Sequence, residues 1–447
     1  MLGASLNKAF YHPNSSLQPA WNCLQFGLLV FPLNPFLGAV TISLAALITW
    51  AKQYRTISRR PLHRGFAVLS LLLLITTGFA SHQMEAFLGL FNLLPYFFVF
   101  AGLTALIQTA AQLRQISWIM VFGSLPVVMI GFGQLFFGWT FNLQFLWVLL
   151  DITISPGGVP LGRMSSVLMH ANTLAAYLVT IFILGLGLWL ENYQKLKVKN
   201  PPLKVSYRPI IFLTVAVFAN FMALVLTNSR NGWLIAVFAC VAYSFYQGWR
   251  LLVAGFLSMA TSILLAAFAP LAIAQFFRRF VPYFIWARVN DDMYPDRPVA
   301  MMRKTQWEFA WNLTQQHPLT GSGLRSFSGL YKAEMQIDIN HPHNLFLMLS
   351  AETGLITTLL FCSLLAWILI AAMQLLWNSK YIQLENRLIF FSYIITFIGW
   401  ILFNTVDVTT FDIRLSTLFW VFLAALCGVI YQLAGVRSSE FGVRSSE

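Results

Sequence analysis

Two histidines and two arginines are the residues of this chain best suited to chemistry. His341 and His343 fall in Asn340-His341-Pro342-His343-Asn344, a polar hinge that runs directly into the apolar stretch beginning at Leu345. Imidazole is the side chain most easily poised as a base near neutral pH, and titratable groups at a membrane boundary mark functional sites. The competing reading is that both histidines cap a helix or sit in the interface. Arg163 lies just before an apolar stretch, and Arg230 lies in Thr227-Asn228-Ser229-Arg230-Asn231-Gly232-Trp233, a turn between two such stretches. A cation at that depth costs roughly 3 kcal/mol. A guanidinium fork fits phosphate oxygens bidentately. No acid lies within a helical turn of Arg230, so an external anion is its expected partner, set against snorkelling or a distant acid such as Asp407 or Asp412. A base with a cationic clamp is the arrangement that group transfer from a phosphate needs. No metal site is expected: His341 and His343 have only Asp338 near them in sequence, without a HExxH pattern or a carboxylate cluster.

The elements that must position these groups are membrane helices. The chain has 447 residues, 58% hydrophobic, 16% aromatic and 10% charged, where a soluble protein carries about a quarter charged residues. So much apolar surface cannot be hidden from water inside a soluble fold, which leaves an all-α polytopic membrane protein. The 41 Phe and 15 Trp suit lipid-facing helices and interfacial belts. Cys23, Cys240, Cys362 and Cys427 lie far apart in apolar runs and read as packing residues. No cleavable signal is expected, because the first apolar run leads into more membrane.

About 20 residues cross a bilayer. Spans are expected near 17–32, 36–51, 65–80, 88–110, 117–137, 171–190, 209–227, 232–248, 251–275, 344–376, 388–406 and 415–434, about twelve in all. Pro32, Asn34 and Pro35 interrupt the first pair, giving either a short hairpin or one kinked helix. The stretch 344–376 is too long for one crossing, so it tilts or continues into the cytosol. The chain thus divides into transmembrane helices over 1–275, a large outer loop over 276–343, more transmembrane helices over 344–434, and a disordered tail over 435–447 that repeats Gly-Val-Arg-Ser-Ser-Glu.

Lys52, Arg55, Arg59, Arg60 and Arg64 fill one short loop, and Lys195, Lys197, Lys199, Lys204 and Arg208 another, with Arg114, Arg250, Lys380 and Arg387 marking others. With twelve spans all fall on one side, together with both termini, and the positive-inside bias makes that side cytoplasmic. The net charge of +13 is therefore topology and not nucleic-acid binding. In the outer loop, cations are set against Asp291, Asp292, Asp296, Glu308, Glu334 and Asp338. Arg303 and Arg325 are candidate supporting cations for the anion. Met302–Gln315 reads as an amphipathic helix with Trp307, Ala310, Trp311 and Thr314 on one face. Pro318-Leu319-Thr320-Gly321-Ser322-Gly323 ends it, and its glycines serve either a flexible turn or a backbone approach to phosphate.

In order and spacing, Arg163 followed by Ala171-Asn172-Thr173-Leu174-Ala175-Ala176-Tyr177, the Thr227–Trp233 turn, Arg303 with Trp307 and the Pro318–Gly323 turn, and His343-Asn344 with Gly354 and Thr357 resemble the O-antigen ligase superfamily over roughly 65–430. That superfamily includes O-antigen ligases, O-antigen polymerases, protein O-oligosaccharyltransferases and a branch that carries the name of bicarbonate transporters. The resemblance implies a GT-C-like fold with a long periplasmic loop in the inner membrane. It implies metal-independent, inverting transfer of a glycan from undecaprenyl diphosphate to a hydroxyl on a glycan, lipid or protein, with no cofactor. Arg230 and Arg163 match the arginines thought to hold the diphosphate, and His343, followed by Asn344, matches the catalytic histidine. His341 is the alternative base, and Asp407 or Asp412 a candidate orienting acid. His341, Asn344, Arg303 and Arg325 complete the expected substrate-binding set. Two positions depart from the family pattern: Asn231 stands where a glycine is usual, and His170-Ala171-Asn172 replaces Asn-Pro-Asn. A polymerase of the same chemistry and a small-anion transporter are the alternative readings. A transporter would more often show internal repeats and broken helices meeting at the midplane.

Overall fold

The computed structural model describes residues 10–145, 150–197, 206–290, 292–293, 296–378 and 382–440. Asp291, Lys199, Lys204 and Lys380 lie outside them. Helices α1 (Gln18–Val30) and α2 (Pro35–Arg59) form a hairpin, which decides between the two readings of the first pair. Asn34 accepts the Leu37 N–H at 3.0 Å and Pro35 opens α2, where its missing N–H has no intrahelical partner to lose. The chain continues through α3 (Pro61–Gly78), α4 (Gln83–Leu90), α5 (Leu94–Leu106) and α6 (Ala110–Phe136). An antiparallel ribbon of β1 (Phe141–Phe145) and β2 (Leu150–Ile154) pairs Phe141 with Ile154. Then come α7 (Ala171–Leu196), α8 (Arg208–Leu226), α9 (Arg230–Tyr246), α10 (Arg250–Phe268), α11 (Leu271–Arg278), α12 (Tyr283–Val289), α13 (Arg303–Gln316), α14 (Ser326–Met335), α15 (Leu345–Trp377), α16 (Leu384–Asn404) and α17 (Ile413–Glu440).

Among the described residues, 10 helical segments are long and apolar enough to cross a membrane, with α4 and α5 together making one. Two of the expected spans fall short: α1 has 13 residues and α9 has 17. The protein is a multi-pass, all-α membrane protein, and the ribbon is its one departure from helix among the described elements. Some span limits move for local reasons. The expected 88–110 span breaks into α4 and α5 at Phe91–Leu93, because Pro95 cannot continue the hydrogen-bond ladder. Thr109 and Gln112 form a capping box, so α6 starts ahead of Arg114 and not at 117. Pro270 stops α10, so 271–275 belongs to the loop and not to the ninth span. The last helix extends to Glu440 through the first copy of the repeat; residues 441–447 lie outside the described residues.

The long loop has its own core, in which Phe309, Ala310 and Leu313 of α13 meet Phe327 and Tyr331 of α14 and Ala351 of α15. The buried stripe of α13 is therefore Gln306, Phe309, Ala310, Leu313 and Thr314. Ala310 and Thr314 of the expected face lie in it, whereas Trp311 is 46% exposed.

Helix α15 explains its own length by breaking at Gly354, where φ is 79° and ψ is 168°. The break frees backbone groups, and the turn at 318–323 takes them up. Ser322 and Gly323 donate N–H to the carbonyls of Ala351 and Glu352, each at 2.9 Å, and Leu355 donates to Pro318 O at 2.8 Å. The glycines of that turn thus serve helix packing and not a phosphate: a Cβ on Gly321 would lie 2.3 Å from the Glu352 backbone. A Cβ on Gly354 would lie 2.3 Å from Leu319 O, at a φ that L-residues rarely adopt. Gly354→Ala is expected to destabilise the protein by at least about 2 kcal/mol. A fall in the melting temperature of the detergent-purified protein measures it, and an unchanged value would show that the break is tolerated without glycine.

Alternation of the helices sends the basic turns to one end, where Arg114 meets Glu191 at 2.8 Å and His12 Nε2 meets Leu106 O at 2.8 Å. Among the described residues, the opposite end gathers 79–82, 137–145, 150–170, 227–229, 269–290, 292–293, 296–344 and 405–412, and it carries the candidate site.

Candidate functional site

His343 stands one residue ahead of the N-cap of α15, in the left-handed region with φ 52°. Asn344 uses its side-chain oxygen to cap the helix through the Leu347 N–H at 3.0 Å, and it lines neither cavity described below. The strained hinge turns the His343 ring toward Asp407, in the turn between α16 and α17. His343 Nδ1 lies 3.2 Å from Asp407 Oδ1, which also accepts the Val408 N–H at 2.9 Å. Asp407 Oδ2 accepts from Asn172 Nδ2 at 3.2 Å, Asn172 Oδ1 accepts from Arg163 Nη2 at 2.6 Å, and Arg163 Nε donates to Thr227 O at 2.8 Å. One hydrogen-bonded chain therefore runs from the histidine to the end of α8, next to Arg230. Gly158 makes room for it: with φ 84°, its missing Cβ would lie 1.8 Å from Arg163 O.

Burial opposes ionisation of Asp407, but the His343 hydrogen bond and the charges of His343 and His341 outweigh it and hold the carboxyl below its usual range. A carboxylate accepts only, so Nδ1 of His343 is the donor of that hydrogen bond, and in the neutral ring Nε2 keeps a lone pair. His341 packs edge-on against His343 with ring centroids 4.5 Å apart. Burial, and then the charge of His343, push His341 down to about 4. Asp412 is spent on capping α17 through the Arg414 and Leu415 N–H groups, at 2.8 and 3.1 Å. Asp407 is therefore the acid that orients the histidine.

His341, His343 and Asp407 bring ligand-type atoms within 4.8 Å of one another, a two-histidine, one-carboxylate set that the sequence reading did not anticipate. Its tautomers suit a proton network better than an ion. His341 Nδ1 accepts the His343 N–H at 3.2 Å, so its own proton sits on Nε2, facing Asp407 Oδ1 at 4.0 Å. A metal ligand needs a lone pair on that inner nitrogen and donates its other proton outward.

Two cavities flank these groups. The first, of about 1090 Å³, is polar and contains His341, His343, Asp407, His170 and Asn172, together with Arg325 and Glu85. Burial, and then Arg163, hold His170 below its usual pKa. The second, of about 620 Å³, has apolar walls from Leu234, Val237, Met259, Ile263, Leu264 and Val289, and a cationic mouth of Arg230, Arg297, Arg303 and Lys304. Arg230 opens α9, its guanidinium donates to the Arg288 carbonyl, and Arg288 Nη2 donates to Asn228 O at 2.9 Å. Arg303 lines the second cavity, and its charge is the least of the causes that lower the His341 pKa.

The sequence-predicted residues thus separate. His341, His343 and Arg325 line the polar cavity, Arg230 and Arg303 line the other, and Arg163 lines neither and acts as a strut. Asn172, His170, Glu85 and Arg297 were not singled out. Asn172 lay within a quoted motif, but its link to Asp407 spans 235 positions and leaves no local trace.

His341 also sets a pH dependence. Its folded pKa, about 4, lies below the ordinary 6.5, so the unfolded chain binds more protons between those values. Its contribution is complete above about pH 6.5 and is lost progressively as pH falls toward 4. The stability of the wild type is expected to fall by up to about 3 kcal/mol over that window, and His341→Gln to flatten the slope. Parallel slopes for the two proteins would remove His341 as the cause.

The O-antigen ligase family model matches residues 215–362, less than half of the chain, and supports the O-antigen ligase superfamily. The matched segment takes in Arg230, Arg303, Arg325, His341 and His343 and leaves Arg163, Asn172 and Asp407 outside it. It implies a ligase or polymerase role in the membrane. No curated protein matches the chain.

Proposed function

We propose, on the O-antigen ligase match and this geometry, that the chain transfers a glycan from undecaprenyl diphosphate to an acceptor hydroxyl on the periplasmic face of the inner membrane. The observation that carries the reading is the presence of both a polar, histidine-bearing cavity and an apolar groove whose mouth is cationic. An isoprenoid diphosphate has that same division between an apolar tail and an anionic head. The tail lies along Leu234, Ile263 and Leu264, and Arg230 and Arg303 hold the diphosphate. His343 Nε2 takes the proton of the acceptor hydroxyl as its oxygen attacks the anomeric carbon. The bond from that carbon to the diphosphate breaks, and the electron pair leaves on the carrier, where the guanidinium groups stabilise it. A single displacement inverts the configuration. Asp407 fixes the tautomer of His343, and Asn172 and Arg163 brace Asp407 from behind. No step calls for a metal.

The test is a reconstituted transfer assay with undecaprenyl-diphosphate-linked glycans from the host, candidate acceptors and EDTA. Transfer that persists in EDTA, with inversion at the new linkage, supports the reading. Loss of transfer in EDTA that zinc or magnesium restores would contradict its metal-free form. Labelling of a growing glycan identifies a polymerase, and labelling of a lipid or protein a ligase. Absence of transfer, with bicarbonate entering proteoliposomes, would assign the arginines to a transport path.

A further inference from the structure

We infer that α11 and α12, at the start of the outer loop, lie in the outer leaflet of the bilayer, and that α12 forms the rim across which a lipid-borne donor enters the groove sideways. The entry route rests on the transferase reading; the placement in the leaflet does not. Both short helices fold back onto the end of α10. Pro270 follows α10, and the carbonyls of a last helical turn lack intrahelical partners. Two of them are taken up from further along the chain. Arg278 Nε donates to Ala266 O at 2.8 Å, and Asn290 Nδ2 donates to Ala267 O at 3.2 Å. Ala266, Ala267, Ala274 and Ala287 are buried, so small residues let these helices pack closely.

The surface that α11 and α12 then present is apolar. Ile273, Phe276 and Phe280 are exposed at helical spacing, away from buried Ala274, and exposed Tyr283 and Phe284 continue the patch; Phe280 is 72% exposed. Such a patch marks an interaction surface. Continuity identifies what covers it. α10 is long and apolar enough to span, little of it is buried among the other helices, and its outer end exposes Leu264 and Phe268, next in line with exposed Leu271. Lipid surrounds α10, so lipid also covers the surface continuous with it. Arg279 is exposed on the same stretch, and aromatic rings beside an arginine suit the headgroup boundary.

α12 divides its residues between two surroundings. Tyr283 and Phe284 are exposed, whereas Ile285 and Val289 line the groove. The groove is not closed elsewhere: among its lining residues Leu234 is 67% exposed, and Met259 and Leu264 are exposed too. It therefore opens along the side where α10 meets lipid. An isoprenoid chain reaches it from within the leaflet, without passing through water, and its diphosphate meets Arg230 and Arg303 as it crosses α12.

The placement is read by photocrosslinking of the full chain in native membranes whose phospholipids are radiolabelled. p-Benzoylphenylalanine replaces Phe280, Phe284 or, as a control in the loop, Glu334, which is exposed on α14. Phospholipid adducts are expected at Phe280 and Phe284, severalfold above Glu334. Adducts to protein in their place, whether a second copy or another chain, would overturn the placement, as would no adduct or an equal lipid yield at Glu334. The entry route is read by kinetics on reconstituted protein. Phe280→Asp is expected to raise KM for bilayer-borne undecaprenyl-diphosphate glycan by at least about fivefold while keeping kcat. The same variant is expected to keep the wild-type KM and kcat for a short-chain, water-soluble isoprenyl-diphosphate glycan, which shows that it is folded. Phe280→Leu, which stays apolar, is expected to match the wild type with both donors. An equal rise in KM for both donors, or none for the bilayer-borne one, would overturn the entry route. If lipid adducts form as expected but the wild type transfers from neither donor, the transferase reading fails while the placement in the leaflet stands.

Discussion

Replacing His343 with alanine is expected to lower transfer by about 10²–10⁴-fold, the usual contribution of a positioned general base. Its imidazole lines the polar cavity, and its Nδ1 is fixed by Asp407, which leaves Nε2 for the acceptor hydroxyl. The substitution must be separated from backbone effects, because residue 343 has φ 52°. Asparagine adopts that conformation readily where alanine does not, so His343→Asn is the matched control. Both variants are expected to lose transfer, and His343→Asn to keep the wild-type melting temperature within a degree or two. His341→Ala is expected to cost less than about tenfold, because a ring held near pKa 4 is a poor base at neutral pH. Initial rates at saturating donor decide this. Near-wild-type rates in His343→Asn together with a collapse in His341→Ala would exchange the two roles.

Arg230→Ala is the second large effect, expected at about 10²–10³-fold, typical for removal of one group that stabilises developing charge. Arg230 opens α9 at the mouth of the apolar groove, where the leaving diphosphate gathers charge as the glycosidic bond breaks. Lysine keeps the charge but not the planar fork, so Arg230→Lys is expected to recover part of the rate. The loss should fall mainly on kcat, since the interaction strengthens as charge develops. A variant that raised only KM would make Arg230 a docking residue for the donor and not a stabiliser of the leaving group.

The membrane helices were legible because hydropathy is written locally, and a run of roughly 20 consecutive apolar residues suits a bilayer and little else. The errors lie where a local device cut the apolar run. Pro95 and Pro270 stopped helices inside it, and the Thr109–Gln112 capping box started one ahead of the Arg114 charge. The break in α15 was unreadable for a different reason: Gly354 is one of many glycines in apolar stretches, and what makes it break is a loop arriving from 318–323. The same holds for the site. His343 and Arg230 stood out as charged or titratable groups where lipid was expected. Their separation into two cavities, and the brace through Asn172, depend on contacts spanning 64 positions for His343–Asp407 and 64 for Arg163–Thr227. The family match covers Arg230 and His343 but stops short of that brace.

The most direct test of the two-cavity account is a cryo-EM map of His343→Asn in lipid nanodiscs, loaded with undecaprenyl-diphosphate glycan. The account predicts diphosphate density between Arg230 and Arg303, isoprenoid density along Leu234, Ile263 and Leu264, and the first sugar turned toward residue 343. Diphosphate density inside the histidine cavity, or away from Arg230 altogether, would contradict it.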